Sequence, residues 1–225
     1  MIRTKAVMSW SSGKDSAMAL HVARSAANLD IVALVSNFNT DGGRVKTHAT
    51  RREIVRAQAR ALGLTLVEID LPEPTSNAAF LDRTREVVRQ FAQQGVTDWV
   101  FGDLFLQDIR DWREAQMAAL GVTSHFPLWD RDTATLARDM LSVGLEAYVV
   151  AADCARIPIK LAGARFDMNF LSALPEGVDP SGENGEFHTV VANAPGFEEP
   201  LALERGETVL QNGVAYTDFR LIAKG

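Results

Sequence analysis

The sequence predicts an α/β fold, a parallel sheet with helices on both faces, followed by a smaller C-terminal region with antiparallel strands. Short, bounded apolar runs alternate with helix-periodic stretches through the first two-thirds of the chain. Runs of that kind are strands buried on both sides, as in a helix-covered parallel sheet. Near the end, Asn212 and Gly213 separate two alternating stretches, the strongest short hairpin signal.

Each element follows in order. Residues 6–9 give a first strand, leading through a polar turn into the helical stretch AMALHVARSAA, and residues 31–37 give the second strand. Ile54, Ala57, Ala61 and Leu62 recur at helical spacing, then residues 66–69 read as a third strand. Phe80, Thr84, Val87, Val88 and Phe91 mark another buried helical face before a strand at 99–101. A last strand of the alternation is expected at 147–150. After Pro158, Gly, Pro and Asn become frequent, so the chain is divided into residues 1–150 and a smaller, loop-rich 151–225.

Apolar residues make up 47% of the 225 and charged residues 23%, enough apolar material for a substantial core and no sign of disorder. The net charge of −6 provides no general basic footprint and disfavours nucleic acid as a partner. With Cys154 as the one cysteine, an intrachain disulfide framework and a multi-cysteine metal site are excluded. The longest apolar runs are too short for a bilayer and the N-terminus has no signal-peptide h-region, so the expectation is a cytoplasmic protein with no membrane partner.

The most informative segment is SWSSGKDS, residues 9–16. A strand running through small hydroxyl residues and one glycine into a helix aims backbone N–H groups, and the positive end of the helix, at one point. An anion belongs there. Ser11, Ser12 and Ser16 offer hydroxyls, Gly13 close backbone approach and Lys14 a point charge, yet the punctuation is not that of a Walker loop. Asp15 is either a first-turn or capping carboxylate or a magnesium ligand.

Two further groupings carry chemistry. FGDLFLQDIRDWRE places Gly102 and Asp103 at the end of a predicted strand, where open α/β sheets bind ligands; Asp103 reads as a metal ligand, a substrate anchor or a helix cap. Arg110 and Arg113 beside Asp111 and Glu114 read first as surface ion pairs. DPSGENGEFHT, residues 179–189, gathers Glu183, Asn184, Glu186 and His188 with two glycines, a tight loop that collects polar groups. Its spacing matches no common zinc pattern.

SSGKDS resembles the pyrophosphate loop of the PP-loop ATPases, the adenine nucleotide α-hydrolase-like superfamily, with Ser12 standing where the usual SGGKDS has its first glycine. Together with GDLFLQDIRDWREAQMAALG, FPLW at 126–129 and GENGEFHT at 182–189, it is similar to the diphthine-ammonia ligase family, and TDGGRVKTHATRREIV to that family's bacterial-type branch. The resemblance implies an ATP-binding PP-loop domain at 1–150 and a substrate-binding region at 151–225. It implies an AMP-forming amide ligase that adenylates a carboxylate, of a small molecule or a protein side chain, and transfers ammonia to it.

By the same resemblance, ATP is held by Ser11, Ser12, Gly13, Lys14, Asp15 and Ser16, by Ser36, Asn37, Phe38 and His48 on the adenine or ribose side, and by Gly102 and Asp103. Asp15 and Asp103 would hold Mg2+. Lys14, Glu183, Glu186 and His188 form the catalytic set, with Glu186 the first choice of base. His48 could equally open a helix and face water. A homodimer is compatible with these features. A nucleotide sensor without turnover and a PP-loop tRNA-modifying enzyme are the alternatives, the latter opposed by the acidic balance and single cysteine.

Overall fold

The computed structural model describes residues 3–222 apart from 27, 41, 42, 46, 47 and 73. Positions 41, 42, 46 and 47 of the TDGGRVKTHATRREIV stretch thus lie outside the described residues.

The first half builds strands β1 (Thr4–Ser9), β2 (Leu29–Asn39), β3 (Thr65–Leu71), β4 (Asp98–Val100) and β5 (Thr123–His125), interleaved with helices α1 (Lys14–Ser25), α2 (Arg52–Ala61), α3 (Asn77–Ala92) and α4 (Gln107–Ala118). All pairings are parallel, in the order β3-β2-β1-β4-β5. Alternate side chains of β1 show why helices cover both faces. Ala6 and Met8 join a core with α1 and α2, whereas Val7 joins Trp99, Val87 and Phe91 on the side of α3 and α4. The expected parallel sheet is therefore present, with the three-residue β5 added at its edge; TSH has no apolar run to announce it.

After α5 (Thr133–Ser142), the chain forms β6 (Glu146–Asp153), a short 3-10 turn, α6 (Met168–Ala173), β7 (Phe187–Asn193), β8 (Leu203–Gln211) and β9 (Val214–Leu221). These strands make a second, antiparallel sheet in the order β7-β6-β9-β8. Residues 147–150, expected as the last strand of the parallel sheet, lie instead in β6 of this one, so a division after residue 150 falls inside a strand. An apolar run buried on both sides does not distinguish the two kinds of sheet. The hairpin at Asn212 and Gly213 is present, both residues at positive φ (51° and 82°), as a tight two-residue connection requires.

The two sheets share one core. Ala6, Leu34 and Leu20 run on to Ala147, Val149, Phe187 and Val191. An ionic strap adds to it. Asp218 of β9 accepts from Arg51 Nε and Nη2 at 2.8 and 2.7 Å and from Arg44 Nη2 at 2.9 Å, and these guanidinium groups hold its carboxyl far below the usual range.

Candidate active site

The strand order reverses direction between β1 and β4, the switch point where open α/β sheets receive ligands beyond the carboxyl ends of their strands. Residues 9–16 leave β1 on one side of that point and Gly102 and Asp103 leave β4 on the other. They touch. A β-carbon on Gly102 would stand 3.1 Å from the backbone of Asp15 and Ser16, so glycine lets the two turns close on each other.

Ser12 adopts φ 72°, the left-handed conformation that the glycine of the related pattern would take freely. Its surroundings hold it there. The hydroxyl donates to Thr50 Oγ1 at 2.8 Å, and the carbonyl accepts from Val191 N at 2.9 Å and Gln58 Nε2 at 3.1 Å. Gly13 is extended at φ −93° and caps α1 without a side chain; the Lys14 N–H goes to Thr189 Oγ1 at 3.1 Å. Ser16 Oγ donates to Gly13 O, and Ser11 Oγ to Ser16 Oγ at 3.2 Å. The loop is thus tied to β7 of the second sheet through Ser12, Lys14 and Gln58.

Lys14 is 1% exposed. Its ammonium binds both oxygens of Asp15 at 3.0 and 2.8 Å and the carbonyl of Ser181, and stands 5.2 Å from the ring centre of Phe187. Glu183 lies within reach of the Lys14 charge, and its Oε1 accepts from Leu104 N at 2.8 Å just beyond β4. Burial, together with the charges of Asp15 and Asp103, pushes the Glu183 carboxyl up to about 7 despite the Leu104 hydrogen bond and Lys14. Asp103 pairs with Arg113 Nε at 2.9 Å, so Arg113 points inward while Arg110 takes the expected helix-surface pair with Glu114. Neither Asp15 nor Asp103 caps a helix, since α1 and α4 begin after Gly13 and Leu106.

Glu186 is used differently. It is 1% exposed, and Oε1 accepts from Arg156 Nη1, Asn184 Nδ2 and Asp179 N at 3.1 to 3.4 Å. It organises the 179–189 loop, whereas Glu183 is the carboxyl that stands by Lys14. His48 is buried rather than facing water; its Nδ1 donates to Thr189 O at 2.9 Å and its ring lies 4.7 Å from that of His188. Burial lowers His48 to about 4, with Lys14 contributing, and His188 to about 3, with His48 and Lys14 contributing, so both rings are neutral.

The residues expected on the adenine side divide by strand alternation. Ser36 and Phe38 point into the core, both fully buried: the Ser36 hydroxyl donates to Trp10 O at 2.6 Å and Phe38 lies under the Arg52 guanidinium. Asn37 points the opposite way. It lines a cleft of about 310 Å³ with Ser11, Ser76, Phe80, Trp112 and Arg113, and its Oδ1 has no hydrogen-bond partner among the described residues. Residues that the sequence reading did not single out, Gln58, Thr50, Thr189 and Ser181, complete the loop's support. Gln58 had a signal, a polar residue within the apolar stripe of α2.

Known proteins match this arrangement of segments. The diphthamide synthase N-terminal domain matches residues 4–124 and the diphthamide synthase C-terminal domain residues 132–222. A diphthine--ammonia ligase of Danio rerio is 27% identical over 174 residues, 70% of this chain and 68% of that protein. Among solved structures, the U34-tRNA thiolase NcsA of Methanococcus maripaludis, with its 4Fe-4S cluster, is 15% identical at a TM-score of 0.39. That likeness covers 64% of this chain and 59% of the thiolase. No helix among the described residues is long and apolar enough to cross a membrane. The first family domain contains the loop 9–16 and the second contains the segment 179–189 that closes on it, and the chain belongs to the diphthamide synthase family.

Proposed function

We propose that the protein is an ATP-dependent, AMP-forming amide ligase that adenylates a carboxylate and transfers ammonia to it. The observation that carries this reading is the position of Glu183, a carboxyl titrating near neutrality beside the Lys14 ammonium of a phosphate-type loop. Membership of the family and the likeness to a diphthine--ammonia ligase support the reaction class.

In the first half-reaction an oxygen of the substrate carboxylate attacks the α-phosphorus of ATP. The bond from that phosphorus to the α,β-bridging oxygen breaks, and pyrophosphate leaves. The loop amides, the N-terminus of α1 and Lys14 stabilise charge gathering on the leaving group. To reach a phosphate oxygen, the ammonium exchanges it for one of its present partners, Asp15 or Ser181. Asn37, with its unpartnered Oδ1 at the cleft, is the natural acceptor for a nucleoside N–H or hydroxyl.

In the second half-reaction the ammonia nitrogen attacks the acyl carbon, the acyl C–O bond to AMP breaks, and the ionised Glu183 takes the proton shed by nitrogen. The acyl group, whether of a small molecule or a protein side chain, lies toward 181–186. Glu186, Asn184 and His188 support the loop, with Glu186 fixed by Arg156.

Magnesium fits the site. Among the described residues no three His, Cys, Asp or Glu side chains gather to hold a metal by themselves, but magnesium takes one or two carboxylates and fills its remaining positions with phosphates and waters. Asp15 and Asp103 are two such carboxylates, and the ion, when bound, would offset phosphate charge.

The test is product identity. Incubation with ATP, magnesium, ammonium and an acid panel, including diphthine-bearing protein, should give AMP and pyrophosphate, with ATP-pyrophosphate exchange that depends on the added acid. ADP and phosphate as the sole products would overturn the reading.

A further inference from the structure

Gln58 lies on the buried face of α2 with every polar atom of its carboxamide engaged. Oε1 accepts from Trp10 Nε1 at 2.9 Å, and Nε2 donates to Ser12 O at 3.1 Å and to Val191 O at 2.7 Å. Three segments meet on one side chain: the exit of β1, the left-handed turn of the phosphate loop, and β7. We propose that Gln58 is a positioning residue for this loop, holding the Ser12 carbonyl and fixing the loop to the second sheet, so that its amides are aimed before any nucleotide arrives.

Packing alone does not ask for glutamine here. Its neighbours on the same face, Ile54, Val55, Ala59 and Leu62, are apolar, and a fully buried carboxamide is tolerated only where its bonds replace those lost to water. The donor and acceptor set is selective. Glutamate would set an oxygen against two carbonyls, lysine or arginine could not accept from Trp10, and an aliphatic residue would leave all three partners without Gln58. The bond also lands where it matters. A serine at φ 72° persists only when its surroundings over-determine it, and Ser12 O is held by two donors, Gln58 and Val191.

The proposal rests on the reading of residues 9–16 as a nucleotide loop, and its test separates the two. Amide hydrogen exchange on the full chain is compared for wild type, Gln58→Leu and the near-isosteric Gln58→Glu. Both variants should speed exchange in 9–16 and 189–193 about tenfold or more, with α3, on the opposite face of the sheet, unchanged. At about pH 5 a buried glutamate carries a proton and can donate again, so Gln58→Glu should regain part of the protection it lacks at about pH 8. Wild type at both pH values corrects for Glu183, which titrates between them, while His48 and His188 stay neutral.

Calorimetric ATP binding should weaken about tenfold or more in step with the loop exchange. Unaltered exchange in 9–16, or a loss spread evenly over both sheets in Gln58→Glu, overturns the proposal. If wild type itself takes up no ATP, the nucleotide reading fails, and the exchange result still decides the role of Gln58.

Discussion

Gly13 and His48 leave no room for a methyl group between them: a β-carbon on Gly13 would lie 2.4 Å from His48 Cε1 and 3.1 Å from Thr189 O. Because Gly13 is extended at φ −93°, glycine serves space here rather than conformation. The imidazole is pinned by its bond to Thr189 O and cannot swing aside without leaving a buried carbonyl unpaired. Gly13→Ala should therefore displace the loop, at a cost of about 2 kcal/mol in urea denaturation. ATP binding by calorimetry should weaken at least tenfold. Wild-type affinity in this variant would show that nucleotide does not use the loop.

Ser12 presents the opposite case, a non-glycine residue in a glycine conformation. Ser12→Gly relieves a left-handed penalty of about 1 kcal/mol and gives up one buried hydrogen bond of similar worth, to Thr50, so stability should change by less than about 1 kcal/mol. Ser12→Ala keeps the penalty and loses the bond, and should cost about 1–2 kcal/mol. Thermal denaturation of the pair checks the difference. Equal stability in the two variants would mean that the backbone conformation stores no strain.

Local pattern made the scaffold legible and left its cross-connections hidden. Alternating apolar runs revealed β1 to β4, and Asn212 and Gly213 revealed the last hairpin, because each is a property of neighbouring residues. Which sheet residues 147–150 join depends on distant strands, β7 and β9, so the run itself could not say. In the site, the loop 9–16 and the 179–189 segment were readable as polar groupings, but their meeting rests on bonds across more than 160 residues, such as Lys14 to Ser181 and Thr189. Strand alternation also decides within one run: of Ser36, Asn37 and Phe38, only Asn37 lines the cleft. Glu186 and Glu183, alike in sequence, part company because Arg156 claims one and Leu104 N the other.

Glu183 sets a pH dependence with two readouts. On the proposed reaction, Glu183 as a base titrating near 7 acts when ionised, so amide formation under saturating substrates should rise with pH through about 7. Stability moves the other way. The folded carboxyl keeps its proton to about 7 while the unfolded one loses it near its ordinary 4.5, so the unfolded state binds fewer protons and stability declines as pH rises across that window. Glu183→Gln retains an acceptor for Leu104 N, should remove the rising limb of the rate profile, and at about pH 8 should be more stable than wild type by on the order of 2 kcal/mol. A variant with the wild-type limb intact would assign proton removal to another group.

The tilted ring pair His48 and His188 governs the acid side. Both are ordinary imidazoles, titrating near 6.5, in the unfolded chain, but burial holds them at about 4 and about 3 in the fold. From about pH 6.5 downward the unfolded state therefore takes up protons that the folded state refuses, and stability that is complete above 6.5 is lost as the pH falls toward 4. At about pH 5 the loss should be on the order of 2 kcal/mol for each ring. His188→Phe keeps an aromatic surface against His48 while removing one of the two titrations. In a Glu183→Gln background, which removes the opposing carboxyl titration, stability from urea denaturation at about pH 5 and pH 8 should accordingly change about half as much with His188→Phe as without it. If the two changes coincide, His188 takes up its proton as readily in the fold as in the unfolded chain, and burial does not hold it neutral.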